Sequence, residues 1–353
     1  GDCLSLMGLS RDLGAFYELN KDLEIFKESI NHFDLDFVNR SPKDCPNIFF
    51  LNIEISPCIK KYKPYLEKYF NDLNIKKNNF FTDISNYLAY ELGQPTHCYD
   101  YSKIKDSSIE FDNIEVDEEF HTLTDQKINL NDKNCIFSAD KKIINLAGVM
   151  GGITTACHKD TLNVLIESAY FNPEAIIGKS VKYDLHSEAS YKFERGVDPS
   201  FQEIALRRFL KIVSDHAEII KIQIYKNTHE VLENISINYS YARINKILGT
   251  NLTEKIISET LSSIGFLIED SKVTVPIHRH DIKHENDLAE EVARVIGYDK
   301  LEPRSFLIEK KSNAYKEKQE YIKDFLIDNG FNEVINIPFT SSENHNSIRV
   351  DNP

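Results

Sequence analysis

The chain has 353 residues, with 42 Lys+Arg against 56 Asp+Glu for a net charge of −14. Its 41% hydrophobic and 28% charged residues fit a folded protein of two or three domains and exclude a disordered or collagen-like chain. The acidic balance excludes coating nucleic acid by bulk charge but leaves room for a local basic patch. No apolar run approaches the ~18 residues of a membrane-spanning helix, so no membrane association is expected.

The chain opens with Gly1 and carries two methionines, Met7 and Met150, which suggests a removed start or a piece of a longer protein. The six cysteines are scattered with no CxxC pair. That pattern disfavours a zinc ribbon or a disulfide scaffold and fits a reducing cytoplasm. No signal peptide is visible, because the first residues are polar and acidic.

Taken in chain order, Ser10 can cap a helix carrying Leu13, Phe16 and Tyr17. After a charged link around Pro42, a strand is expected over Asn47 to Ile55 and a helix over Pro64 to Leu73. Short apolar runs then alternate with helical ones from Phe81 to Tyr225. Ile143 to Val149 suits a buried strand ending at Gly151-Gly152, Leu162 to Ser168 a second one, and Asp198 to Ala217 a helix.

A second unit is expected from Val231. It has a strand Ile235 to Tyr239, helices Tyr241 to Leu248 and Thr253 to Ile264 stopped by Gly249 and Gly265, and a strand Lys272 to Ile277. A helix from Glu285 to Ile296 stops at Gly297. A third stretch after Pro303 offers a helix Lys316 to Asn329 and a strand Glu333 to Phe339, too short for a core of its own. The reading is an α/β (α+β), multi-domain chain.

The helix near residue 290 is the clearest constellation. At 100° per residue Leu288, Val292, Val295 and Ile296 share one side, and Asp287, Glu290 and Glu291 with Arg294 share the other. Asp281 lies just upstream behind Arg279. Carboxylates so close repel unless the face is solvated, arginines meet it, or a hard cation such as Mg²⁺ sits among them. His278, His280 and His284 read as exposed turn histidines, since HExxH and a cysteine partner are both lacking. Gly178-Lys179-Ser180 imitates the end of a P-loop, but Pro173 stands where that motif needs glycine. Glu167 interrupts an apolar strand and is either solvated at a strand end or held inside to receive a hydrogen bond. His97 reads by default as structural, and the glycine loop Leu146 to Gly152 as a turn or a close backbone approach to a ligand.

Taken together, CLSLMGLSRDL (Cys3 to Leu13), DISNYLAYELGQPTHCYDYSKI (Asp83 to Ile104), LAGVMGG (Leu146 to Gly152), TLNVLIESAYFNP (Thr161 to Pro173), EASYKFERGVDP (Glu188 to Pro199), VPIHRHDIKHENDLAEEVARVIGYDKLEP (Val275 to Pro303) and GFNEVINIPF (Gly330 to Phe339) resemble the β subunit of bacterial-type phenylalanine–tRNA ligase. The resemblance implies a remnant of an amino-terminal region over 1–40, a tRNA-editing module over 41–227, a small module over 228–305, and the opening of an inactive synthetase-like domain over 306–353.

It implies an enzyme that joins Phe to tRNA-Phe using ATP, and a β subunit that hydrolyses Tyr wrongly attached to that tRNA. The alternative is a non-catalytic scaffold with a dead pocket. Glu167 matches the reader of the tyrosine hydroxyl, Gly151 lines the pocket, and Ser187 and Ala189 shape it. His97 matches the histidine of GQPxHxFD near the ester end, as a positioner of water or the acceptor end. Ser187 stands where the family often has Thr, and Lys192 where it usually has Arg. Asp281, Asp287, Glu290 and Glu291 match a Mg²⁺ site shared with the α subunit, in an α2β2 heterotetramer of the cytoplasm.

Overall fold

A computed structural model of the chain describes residues 2–19, 22–229, 234–302 and 318–336. The chain divides into two compact units, Gly1–Glu302 and Pro303–Pro353.

Two five-stranded sheets build most of the first unit. One has the order β1 (Asn31–His32), β12 (Ile219–Thr228), β3 (Asn47–Ile55), β11 (Asn163–Tyr170), β4 (Thr96–Asp100). The other has the order β10 (Met150–Gly151), β9 (Lys142–Leu146), β8 (Lys133–Ala139), β5 (Ile109–Glu115), β2 (Phe37–Asn39). A hairpin of β6 (Glu118–His121) and β7 (Lys127–Leu130) stands beside them. Pairing is antiparallel except for β1 with β12 and β2 with β5.

The first sheet is buried on both faces, so its central strands are nearly all apolar and each face follows the period of two. On one face Leu51, Ile53, Ile55, Val164 and Ile166 pack on α2 (Pro64–Asp72), α3 (Phe80–Leu92) and α7 (Gln202–His216). On the other, Ile48, Phe50, Tyr99, Leu165 and Ala169 meet Phe111, Phe137, Ile144 and Leu146 of the second sheet. The result is three layers: helices, sheet, sheet. Short helices α4 (Pro173–Ile176), α5 (Lys179–Lys182) and α6 (Glu188–Phe193) follow β11.

The small module carries a three-stranded sheet of β13 (Ser236–Asn238), β15 (Lys272–Thr274) and β14 (Leu267–Glu269) in that order. It is packed with α8 (Tyr241–Leu248), α9 (Glu254–Ser263) and α10 (Glu285–Ile296) around Ile244, Ile257, Leu261, Phe266, Leu288 and Val292. In the second unit α11 (Lys318–Asp328) is helical, and residues 333–336 form no strand. Residues 303–317, 337–339 and the junction at 230–233 lie outside the described residues. No helix among the described residues is long and apolar enough to cross a membrane.

Several boundaries differ from expectation, and at two helix starts the reason is local; the strand expected over Lys272 to Ile277 ends at Thr274. The first helix, α1 (Leu6–Leu13), is capped by Ser5, whose hydroxyl accepts from the Gly8 N–H at 3.0 Å, so Ser10 falls inside the helix. The helix expected from Asp198 begins at Gln202, because Asp198 Oδ1 accepts from the Ser200 N–H at 2.8 Å and Oγ at 2.6 Å and holds a turn there.

Candidate functional site

The polar groups of interest meet between the two sheets. On β11 the side chains of Leu165, Glu167 and Ala169 share the face that looks toward the second sheet, so Glu167 is carried inward. It is 4% exposed. The first of the two alternatives left open for this residue is thereby excluded.

His97 lies directly across from Glu167 in the β4–β11 register, and the GQPTH segment explains why. Gly93, at φ +75°, ends α3 in a left-handed turn. The buried Gln94 amide then donates to the Ala169 carbonyl at 2.9 Å, which fixes where β4 starts against β11. Two residues on, Tyr99 is on the same face as His97, and their rings meet edge to face at 4.4 Å.

The second sheet supplies the other side. β9 stops at Leu146, not at Val149 as the apolar run suggests, because Gly148 turns the chain at φ +70°. β10 folds back on β9 and sets Gly151 opposite Asn145. A Cβ on Gly151 would stand 2.2 Å from Cε1 of His97, so only glycine lets the imidazole lie there. Ser187 caps α6 by accepting from the Ser190 N–H at 3.0 Å and donates to the Val149 carbonyl at 2.7 Å, tying that helix to the glycine turn. Ala189 packs against the same apolar cluster.

Glu167 Oε2 accepts from Tyr99 Oη at 2.6 Å and from Asn145 Nδ2 at 3.4 Å, and Asn145 also donates to Tyr99 Oη at 2.8 Å. Burial raises the Glu167 carboxyl and the two donors pull it back, leaving it at about 7. Burial lowers His97 to about 4, so its imidazole is neutral at pH 7. An imidazole so weakly basic is suited to holding a water or an ester oxygen, and poorly suited to taking a proton.

The acidic constellation of the small module is arranged differently. Asp281 receives two bonds from Arg279, at 2.9 and 2.6 Å, and Arg279 reaches Glu291 with its remaining terminal nitrogen at 2.8 Å. Arg294 joins Glu291 at 2.7 Å and crosses to Asp12 at 2.8 Å. Burial works to raise Glu291, but the two guanidinium groups hold it below the usual glutamate value. Asp287 Oδ2 accepts the N–H groups of Lys283 and His284 at 2.8 and 2.7 Å, which lower its carboxyl. Glu290 is exposed.

These four acids do not fit a metal cradle as they stand. Arginine meets two of them and backbone the third, and among the described residues no group of three or more His, Cys, Asp or Glu side chains is placed to hold a metal ion. The helix face is also not uniformly solvated, because Glu291 is buried. Two of the nearby histidines are not exposed turn residues either. His280 Nε2 contacts the Val197 carbonyl at 2.9 Å and stacks on Tyr170, and His278 lies 3.6 Å from Asp2, so both join the small module to its neighbour.

A family model described as the B3/4 domain matches residues 45–218, and one described as the tRNA synthetase B5 domain matches residues 237–298. The phenylalanine–tRNA ligase β subunit of Francisella tularensis is 32% identical over 351 residues, covering 96% of this chain and 44% of that protein. Those of Ehrlichia canis and Thermotoga maritima are 31% and 28% identical over 359 and 355 residues, each covering 97% of this chain and 44% of the relative. The chain is similar to phenylalanine–tRNA ligase β subunits over nearly its whole length and carries the B3/4 and B5 domains.

It spans less than half the length of these relatives. A solved amino-terminal fragment of the phenylalanyl-tRNA synthetase β subunit from Pyrococcus horikoshii covers 84% of both chains at 15% identity and a TM-score of 0.40. The B3/4 match contains His97, Gly151, Glu167, Ser187 and Ala189, and the B5 match contains all four acids near residue 290.

Within the B3/4 span, sequence reasoning missed Tyr99 and Asn145. The alternation in His97-Cys98-Tyr99 places Tyr99 beside His97, but nothing local to Asn145 points to Glu167, 22 residues away. Lys192, buried, donates to the Leu4 carbonyl at 3.0 Å and so braces the amino-terminal segment. Glu194 accepts from Ser180 at 2.8 Å, a framework contact.

In the B5 span, Arg279→Ala is expected to lower stability by about 2–4 kcal/mol, because it strips a partner from a buried carboxylate while Arg294 still holds the other side. Urea denaturation measures this; an unchanged midpoint would show that Arg294 suffices.

Proposed function

We propose that the B3/4 span of this chain hydrolyses tyrosine esterified to tRNA-Phe. In this reading it is the editing part of a β subunit whose whole enzyme, with the α subunit in an α2β2 assembly of the cytoplasm, joins phenylalanine to tRNA-Phe using ATP. The observation that carries the reading is Glu167: a buried carboxylate, on the one face where two sheets meet, that already accepts a hydrogen bond from a phenol.

Phe and Tyr differ by one hydroxyl, and a pocket shaped for Phe rejects the added OH poorly. A second site that accepts a hydrogen bond from that OH rejects Phe strongly, because Phe leaves the buried acceptor unmatched. Glu167 has the chemistry of such an acceptor. His97 lies across the sheet from it and, neutral at pH 7, would hold the attacking water or the ester end. Hydrolysis needs water to add to the ester carbonyl and the ribose oxygen to leave with a proton. Donors near the developing oxyanion lower that barrier. A Mg²⁺ ion shared with the α subunit would require Asp281 and Glu291 to leave Arg279.

Incubating the chain with Tyr–tRNA-Phe tests the reading. Release of tyrosine well above the uncatalysed rate is expected; release at that rate would leave the chain a non-catalytic scaffold.

A further inference from the structure

The bonds around Glu167 assign a role to a residue to which the family resemblance read above gives none, and which stands where GQPxHxFD has Phe. We propose that Tyr99 is a positioning and specificity-determining residue: its phenol, steadied by Asn145, takes one oxygen of Glu167 and leaves the other as the acceptor for a ligand hydroxyl. This rests on the reading of Glu167 as the hydroxyl reader.

The direction of the bonds is determined by what each group can do. A phenol has one proton to give. Asn145 Nδ2 donates to Tyr99 Oη, so the phenol proton goes to Glu167. Turning the amide over would set its oxygen against both the carboxylate and a phenol that must donate elsewhere, so the nitrogen faces inward. Both bonds fall on Oε2, and among the described residues no group donates to Oε1. A carboxylate offers about four acceptor positions, so a second hydroxyl can be received while the first stays bound.

Tyr99 is also held in place. It is 1% exposed, its strand is paired at Tyr99↔Leu165, and the His97 ring stands edge-on against it. Swinging the phenol away would leave its O–H buried and unpaired.

An acceptor must be ionised to receive a hydroxyl well. The titratable groups facing Glu167 are His97 and Tyr99 of β4 and Cys45 ahead of β3; the Cys98 thiol lies between the first two on the opposite face of the strand, against the helices, and feels the carboxylate only through space. Burial holds both thiols and the phenol above their ordinary values and His97 below its own, so all four are neutral at pH 7. Asn145, Phe50 and Gly151 on the other packed strands carry no charge. The ionisation of Glu167 is therefore decided by burial against the donors Tyr99 and Asn145. Removing the phenol hydroxyl leaves burial less opposed, and the carboxyl titrates at higher pH.

The test uses the full chain and Tyr99→Phe, which deletes one oxygen from a packed ring. Carbon-13 NMR of labelled glutamate, with Glu167→Gln to assign the resonance, follows the carboxyl directly. Its midpoint is expected to rise from about 7 by a pH unit or more. In parallel, the preference for Tyr–tRNA-Phe over Phe–tRNA-Phe is expected to fall ~fivefold at pH 7, as the ionised fraction falls, and to return toward the parent value at pH 8.5. Asn145→Leu should move both readouts in the same direction and serves if Tyr99→Phe does not fold.

An unmoved midpoint would overturn the proposal. So would a preference lost equally at every pH, or one that rises at pH 7 because the phenol had been competing with the ligand. If no form of the chain cleaves tyrosyl esters, the hydrolytic reading fails while the NMR midpoint still judges what Tyr99 does to Glu167.

Discussion

Glu167→Ala is expected to reduce the preference for Tyr–tRNA-Phe over Phe–tRNA-Phe by about 10–100-fold, chiefly by slowing the tyrosyl ester. The estimate follows from one hydrogen bond to a charged acceptor, worth roughly 1.5–3 kcal/mol. The substitution leaves Asn145 still donating to Tyr99, while the buried phenol O–H loses its acceptor, so a urea denaturation curve of the variant separates lost stability from lost selection. Deacylation of the two esters, measured side by side with parent and variant, gives the ratio. An unchanged ratio would remove Glu167 from the selection of substrate.

Gly151→Ala is the second large effect. The new methyl carbon would stand 2.2 Å from His97 Cε1 and 2.8 Å from Leu123 Cδ1. The backbone cannot easily retreat, because Gly151 pairs with Asn145 and its carbonyl accepts from the Leu123 N–H at 2.9 Å. The imidazole must therefore move off the site and lose its edge contact with Tyr99. A stability loss of about 1–3 kcal/mol is expected from the overpacking. Tyrosyl deacylation should fall by at least ~tenfold, since misplacing a positioning group costs rate steeply. Denaturation curves and single-turnover deacylation separate the two effects. Full activity would mean that His97 need not sit against the glycine turn.

How much of this was legible in the sequence depended on how local each signal was. The strand Asn47–Ile55 and the helices Tyr241–Leu248 and Glu285–Ile296 match their expected bounds, because the signals are local: an apolar run closed by Ser56-Pro57 for the strand, and helical periodicity with a glycine immediately after for the helices. The first helix was misplaced because Ser5 and Ser10 are both able to cap, and only packing chooses between them. The strand ending at Leu146 ran long on paper because Val149 is apolar, while the left-handed turn at Gly148 interrupts it.

Tertiary contacts decided the rest. Burial of Glu167 follows from its phase on β11, which was readable, but the identity of its partners was not. Tyr99 and Asn145 reach it from another strand and another sheet. The acids near residue 290 show the same limit. Helical spacing grouped Asp287, Glu290 and Glu291 on one face, whereas Glu291 is buried against Arg279, twelve residues upstream, Asp287 caps the helix and Glu290 is exposed. His280 read as an exposed turn residue because the Val197 carbonyl it contacts lies 83 positions away.

The proposed selection of tyrosyl esters depends on a buried carboxylate that distinguishes a ring bearing a hydroxyl from one without. Its most direct test is the ratio of initial deacylation rates of Tyr–tRNA-Phe and Phe–tRNA-Phe by the unmodified chain at pH 8, where the Glu167 carboxyl, with its value of about 7, is mostly ionised. The tyrosyl ester is expected to be cleaved at least ~tenfold faster. Equal rates, or faster cleavage of the phenylalanyl ester, would contradict it.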